Sequence, residues 1–78
     1  MSAVSMTNSI DLSEMIKRAG GVGAIQAEAF RRGVKITKST VYKWKRAGVP
    51  DRYWPIFVDL AGVNPAQMYE ANAAARAA

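Results

Sequence analysis

Five polar side chains in one short stretch of this sequence carry groups that can bind nucleic acid. A helix advances about 100° per residue, so residues spaced three and four apart share a side. This spacing places three cations and two hydroxyl groups together: Lys38, Ser39, Tyr42, Lys43 and Arg46. Ammonium, guanidinium and hydroxyl groups hydrogen-bond to phosphate oxygens and to base edges in DNA. The pattern predicts a DNA-recognition helix that enters the major groove.

The same stretch carries its own helix boundaries and its own anchor. Thr37 is the predicted N-cap, because its hydroxyl can accept a hydrogen bond from a first-turn N–H. Gly48 follows the last helical residues and Pro50 prevents continuation. The side opposite the polar groups carries residues that can fix the helix to a core: Thr40, Val41 and Trp44. We therefore predict a helix over residues 38–46 with one cationic side and one buried side.

The positive charge of the chain is concentrated around this predicted helix. Between residues 31 and 52 there are eight basic residues and one acidic residue, a local charge of +7; the remaining residues carry −2, which gives the total of +5. Such a segment indicates polyanion binding, although a solvated cationic surface has the same composition. We expect four of these cations to contact phosphates and to set affinity rather than sequence choice: Arg31, Arg32, Lys35 and Lys45.

Composition disfavours several classes of function. The chain of 78 residues has no cysteine and no histidine, so it lacks thiolate and imidazole metal ligands and the usual general base. Its six carboxylates are scattered, and we expect no enzyme activity, no metal site and no cofactor. No apolar run approaches the ~18 residues of a membrane span, and no signal-peptide pattern is present. We expect a cytoplasmic protein of a bacterial or phage-infected cell, associated with the nucleoid.

Further helices are predicted to surround the recognition helix. Asn64 followed by Pro65 is a strong start signal for the last of them, and Asp51 is the expected cap of the one before. Apolar periodicity and the glycine and proline stops give the expected ranges 11–19, 22–32, 52–61 and 65 onward. The predicted fold class is all-α, a compact four- to five-helix domain that contains a helix-turn-helix.

The expected core follows the apolar side of each helix. Trp54 and Phe57 should pack against Trp44, and Val34 or Ile36 should fill the space between the second and third helices. The two N-terminal helices contribute the rest of the predicted core: Leu12, Met15, Ile16, Ala19, Val22, Ile25, Ala29 and Phe30. The domain is expected to span residues 9–72. A flexible arm (1–8) precedes it, and an alanine-rich tail (73–78) follows, either frayed or in contact with a second subunit.

A set of turn and core residues extends this pattern across most of the chain, from about residue 12 to residue 60. A small residue and a glycine precede the Val-x-x-Trp pair, and a Val-Pro step leads to a further tryptophan: Ala29, Gly33, Val41, Trp44, Gly48, Val49, Pro50 and Trp54. This combination resembles the helix-turn-helix of the Cro and YdaS-like repressor superfamily, typical of phages and prophages. The resemblance implies a lambda-repressor-like DNA-binding fold.

The resemblance also implies roles for individual positions. Thr37 aligns with a helix cap that often holds a phosphate. The positions aligned with base-facing or phosphate-facing residues are Lys38, Ser39, Tyr42 and Lys43. From chemistry alone, Lys43 or Arg46 can donate to O6 and N7 of guanine, and Ser39 and Tyr42 can reach either bases or phosphates.

One departure from the family pattern lies in the turn. Gly33 and Val41 are eight positions apart, two more than is usual in the family. The predicted turn is therefore longer, through Lys35 and Ile36, and this changes the expected angle or reach of the recognition helix.

The leading prediction is a sequence-specific double-stranded-DNA-binding transcriptional regulator, a repressor of a nearby promoter or of its own. The resemblance implies a homodimer, at least on DNA, bound to an inverted-repeat operator. No membrane contact and no small-molecule effector are evident. Two alternatives stay open: a helical adaptor that binds another protein, and an architectural binder that coats DNA with little sequence preference. The adaptor predicts protein binding that survives loss of Lys38, Lys43 and Arg46.

Overall fold

Helices account for nearly all of the regular structure in the computed structural model, which describes residues 10–77. Over this range there are five α-helices, one 3-10 turn and no strand, so the all-α prediction is confirmed. The helices are α1 (Leu12–Arg18), α2 (Val22–Arg31), α3 (Lys38–Ala47), α4 (Trp54–Ala61) and α5 (Pro65–Ala77), with the 3-10 turn at Asp51–Tyr53. The predicted arm over residues 1–8 lies outside the described residues.

Local capping explains where the first and last helices begin. The side chain of Asp11 caps α1, its Oδ1 accepting a hydrogen bond of 2.8 Å from the N–H of Glu14. Asn64 and Gln67 form a reciprocal pair at the start of α5. The Gln67 N–H donates to Asn64 Oδ1 at 2.8 Å, and the Asn64 N–H donates to Gln67 Oε1 at 2.9 Å. Both predicted starts are confirmed.

The core forms where the apolar sides of the five helices meet. Trp44 lies at its centre, with Phe57 edge-on at a ring-centroid distance of 6.0 Å and Tyr53 tilted against it at 5.2 Å. The expected contact between Trp44 and Phe57 is confirmed, but Tyr53 takes the place expected for Trp54. The indole N–H of Trp54 donates instead to the carbonyl of Val49 at 2.9 Å, which holds this ring partly buried beside the α3–α4 connection.

Two expectations for the fourth helix are corrected. Asp51 makes no capping hydrogen bond, because it lies inside a 3-10 turn whose N-cap position is Pro50. Helix α4 starts only at Trp54, two residues later than predicted, after this tighter turn. Ile56 and Phe57 are buried, and Trp54 is partly buried.

Phe30, a predicted core residue, is instead 73% exposed. The buried side of α2 is set by Ile25 and Ala29, both fully buried. Phe30 follows Ala29 directly and is therefore rotated about 100° away from that side. The remaining core predictions for the two N-terminal helices hold, with Val22 partly buried and the others buried.

The alanine-rich segment continues as helix to Ala77 and packs on the rest of its own chain. Ala71 and Asn72 are buried, and Ala75 is partly buried against the core. The longest described helix has 13 residues, and none of the described helices has the length and apolar character needed to cross a membrane.

Candidate nucleic-acid interface

Helix α3 is fixed to the domain through one side. Val41 is fully buried and Trp44 is 3% exposed. At the first turn the Thr37 hydroxyl accepts a hydrogen bond from the N–H of Thr40 at 3.2 Å, and the two hydroxyl oxygens lie 3.1 Å apart. The predicted cap is confirmed, and α3 is held both by its core side and by its first turn.

The outward side of α3 carries the side chains predicted to meet DNA. All are exposed: Lys38, Ser39, Tyr42, Lys43 and Arg46. Among residues 10–77, none of these five side chains takes part in a hydrogen bond or an ion pair with another protein group. Two hydroxyl groups and three cations are therefore available to an external ligand on a single helical surface.

Tyr42 has one neighbour on this surface. Its ring is 49% exposed, and the Nζ atom of Lys45 lies 5.2 Å from the ring centroid. This distance is within the range of a cation–π interaction. The contact spans three residues of the helix and favours a defined ring position, with the phenolic hydroxyl left exposed.

The two arginines at the end of α2 differ from the cations of α3, because both are ion-paired. Arg31 and Arg32 each donate to Glu28, with Arg32 Nε 2.8 Å from Glu28 Oε2, and Arg32 also donates to Asp59 of α4. Hydrogen bonds from the two arginines lower the pKa of Glu28. The bond to Glu28 raises the pKa of Arg31, and bonds to Asp59 and Glu28 raise that of Arg32. Two of the cations predicted to contact phosphates are thus partly neutralised.

The long turn between α2 and α3 has a structural explanation. Ile36 is buried at 7% exposure, and its carbonyl accepts a hydrogen bond of 3.1 Å from the Gln26 side-chain amide. Gly33 begins the connection with a φ of +89°, a conformation that side chains disfavour. The preceding Lys35 is exposed. Within this turn, Ile36 therefore supplies one core side chain and Lys35 supplies one exposed cation.

The end of α3 is held by α5, a feature that sequence reasoning missed. Asn72 is 3% exposed; its Oδ1 accepts from the N–H of Val49 at 2.8 Å, and its Nδ2 donates to the carbonyl of Val49 at 2.9 Å. Arg76 Nε donates to the carbonyl of Ala47 at 3.3 Å. A Cβ added to Gly48 would lie 3.1 Å from Asn72 Cγ, so these elements approach closely. A lone asparagine within an alanine-rich helix was the available signal.

Comparison of the chain with protein-family models, with curated proteins and with solved structures finds no match.

Proposed function

We propose that this protein is a sequence-specific double-stranded-DNA-binding transcriptional regulator that places α3 in the major groove. One observation carries the proposal: an exposed helical side bears five polar side chains that make no hydrogen bond or ion pair with the protein among the described residues, while the opposite side is fixed by Val41 and Trp44. A helix held in this way can present donors to base edges at low conformational cost.

The helical geometry orders the outward residues by depth. At about 100° per residue, Ser39 and Arg46 lie nearly opposite the midpoint between Val41 and Trp44. Tyr42 lies to one side of this line. Ser39 and Arg46 therefore point furthest into a groove, and Arg46 is the best candidate for a bidentate contact with guanine.

The phosphate contacts follow from charge and pairing. Lys35 and Lys45 are exposed and form no ion pair within residues 10–77, and we assign them to the DNA backbone together with the cap residue Thr37. Arg31, whose side chain is 71% exposed, can reach a phosphate while still bound to Glu28. Arg32 connects α2 to α4 through Glu28 and Asp59, and its first role is structural.

A regulator with this surface would act through occupancy of an operator, as a repressor of a nearby promoter or of its own. A two-fold homodimer on inverted half-sites is the arrangement that best fits one recognition helix per chain. The exposed part of α5 is the proposed contact between subunits on DNA.

A protein-binding adaptor is the second candidate, favoured by two exposed aromatic rings. Phe30 is 73% and Tyr69 is 69% exposed, and neither lies on α3. Exposed aromatic side chains are typical of contact surfaces between proteins. The adaptor would keep its partner after the cations of α3 are removed.

The test starts from selection of binding sequences out of a random duplex library. Fluorescence anisotropy then compares the selected duplex with a shuffled one for the wild type, for Arg46→Ala and for Lys17→Ala, which removes an exposed cation of α1. Arg46→Ala should weaken binding to the selected duplex roughly ten- to a hundred-fold, while Lys17→Ala leaves the preference unchanged. Equal binding of both duplexes by the wild type would indicate an architectural binder. Absence of any binding would leave the adaptor.

A further inference from the structure

We infer that a cleft beside α3 binds a phosphodiester group of the DNA backbone, with Arg52 and Arg76 as ligands additional to the surface described above. This inference rests on the proposed function and adds a second contact region to it. The cleft lies between the second half of α3, the connection on either side of it, the 3-10 turn and the end of α5. Its volume is about 510 Å³.

The lining of the cleft is cationic. Four of its side chains are basic, and none is acidic: Lys35, Lys43, Arg52 and Arg76. They come from four separate parts of the chain and converge only in the folded domain. None of them is ion-paired within the part of the chain that the structure describes. Four like charges around one cleft favour a bound anion, because each contributes to the same positive potential.

The walls of the cleft strengthen this preference. Buried Ile36 and Trp44 contribute apolar surface, which lowers the local dielectric and increases the effect of the surrounding charges. The arginines are also positioned: the Arg52 guanidinium lies 5.0 Å from the ring centroid of Tyr53, and Arg76 donates to the carbonyl of Ala47. Ordered guanidinium groups lose less freedom when a phosphate binds.

The position of the cleft favours DNA as the source of the phosphate. Lys43 belongs both to the outward side of α3 and to the cleft, and Thr40 also contributes to the lining. The strand that borders a major groove filled by α3 would pass beside these residues. A free phosphate ester shares the same chemistry, so the experiment has to separate the two sources.

The decisive variant is Arg52→Gln, since Arg52 is exposed and has no role in the core or on the outward side of α3. We expect roughly five-fold weaker binding to the selected and the shuffled duplex alike. The slope of log K against log salt concentration should become less steep by about 1. Arg76→Gln, which replaces the second proposed ligand of the cleft, should have the same effect. Lys17→Gln removes an equal charge from α1. It should change the DNA affinity and its salt dependence less than the cleft variants do.

The outcomes separate this inference from the proposed function. Unchanged affinity and salt dependence in both cleft variants, with sequence preference still lost in Arg46→Ala, would overturn the cleft assignment and leave the proposed function intact. Absence of DNA binding by the wild type would overturn both. Inorganic phosphate and a mononucleotide are titrated separately and followed by NMR of labelled protein. A different ligand would be indicated if the mononucleotide binds saturably, Arg52→Gln abolishes that binding and DNA affinity is unaffected. The cleft would then bind a free phosphate ester and not DNA.

Discussion

The basic segment between residues 31 and 52 contains two regions that the fold treats differently. At the end of α2, Arg31 and Arg32 are paired with Glu28, and Arg32 also with Asp59. On α3 and beside it, the cations have no acidic partner among residues 10–77. The first region connects helices, and the second leaves its charge available. Counting charged residues along the sequence therefore overstates the unpaired positive charge at the end of α2. For α3 the same count gives the unpaired charge correctly.

Unpaired like charges repel one another, so the second region has to be held by other interactions. Val41 and Trp44 hold the middle of α3, and Asn72 holds the connection that follows it. In the first region the charges attract one another, and the ion pairs of Arg32 add to the core packing that joins α2 and α4. This difference predicts which substitutions reduce stability and which reduce DNA binding.

The largest effect on stability is expected from Asn72→Ala. The substitution leaves the buried N–H of Val49 without a partner and removes one of the two hydrogen bonds to its carbonyl, which keeps the bond from Trp54, at a cost of about 3 kcal/mol in the free energy of unfolding. Tm should fall by about 12 °C or more for a domain of this size. Denaturant unfolding followed by circular dichroism measures the change. Arg76→Ala, which removes one exposed hydrogen bond to Ala47, should cost much less. Equal losses in the two variants would show that Asn72 holds the connection after α3 no more strongly than Arg76 holds the end of the helix.

The next prediction is that substitutions in the two basic regions have different effects, on stability in one region and on DNA affinity in the other. Arg32→Gln should lower Tm, because it breaks the connection from α2 to α4, while DNA affinity changes little. Lys43→Gln should weaken DNA binding roughly five-fold or more and leave Tm unchanged or slightly raised, because it relieves repulsion on α3. Thermal unfolding and anisotropy on the same two proteins measure both quantities. A Tm loss in Lys43→Gln, or a large affinity loss in Arg32→Gln, would remove the distinction between the regions.

The sequence was sufficient for the boundaries and the two sides of α3, where the determining chemistry is local. The cap by Thr37, the end of α3 at Gly48 and the division of α3 into a buried and an exposed side all depend on residues within one or two turns. These features fix the candidate interface, and the structure places its side chains on the surface as expected. The base contacts themselves stay a prediction.

The sequence was insufficient where the partner is distant. The ion pair between Arg32 and Asp59 joins residues 27 positions apart, and Asn72 reaches Val49 across 23 positions. Periodicity within one helix contains no information on such pairs. The misplacement of Phe30 has a different origin, because its residue type fits a core while the spacing of Ile25 and Ala29 already places it off the buried side of α2.

The smallest predicted effect concerns pH and sharpens the description of the paired region. Because hydrogen bonds from Arg31 and Arg32 lower the pKa of Glu28 in the folded state, its carboxylate stabilises the fold above the unfolded pKa of about 4.3. That contribution is lost as pH falls through the lower folded pKa. Glu28→Gln should therefore have a lower Tm than the wild type at pH 7, and the difference should shrink as pH falls below about 4.

Added salt provides the control for this pH effect. The arginine partners of Glu28 are near solvent, so the Tm difference between wild type and Glu28→Gln at pH 7 should also narrow in ~1 M NaCl. Salt also screens the repulsion between the cations of α3, but this effect is the same in both proteins. It therefore does not contribute to the difference between their Tm values. A difference that persists at low pH would mean that the Glu28 side chain acts through packing, and the paired region would then owe its stability to shape rather than to charge.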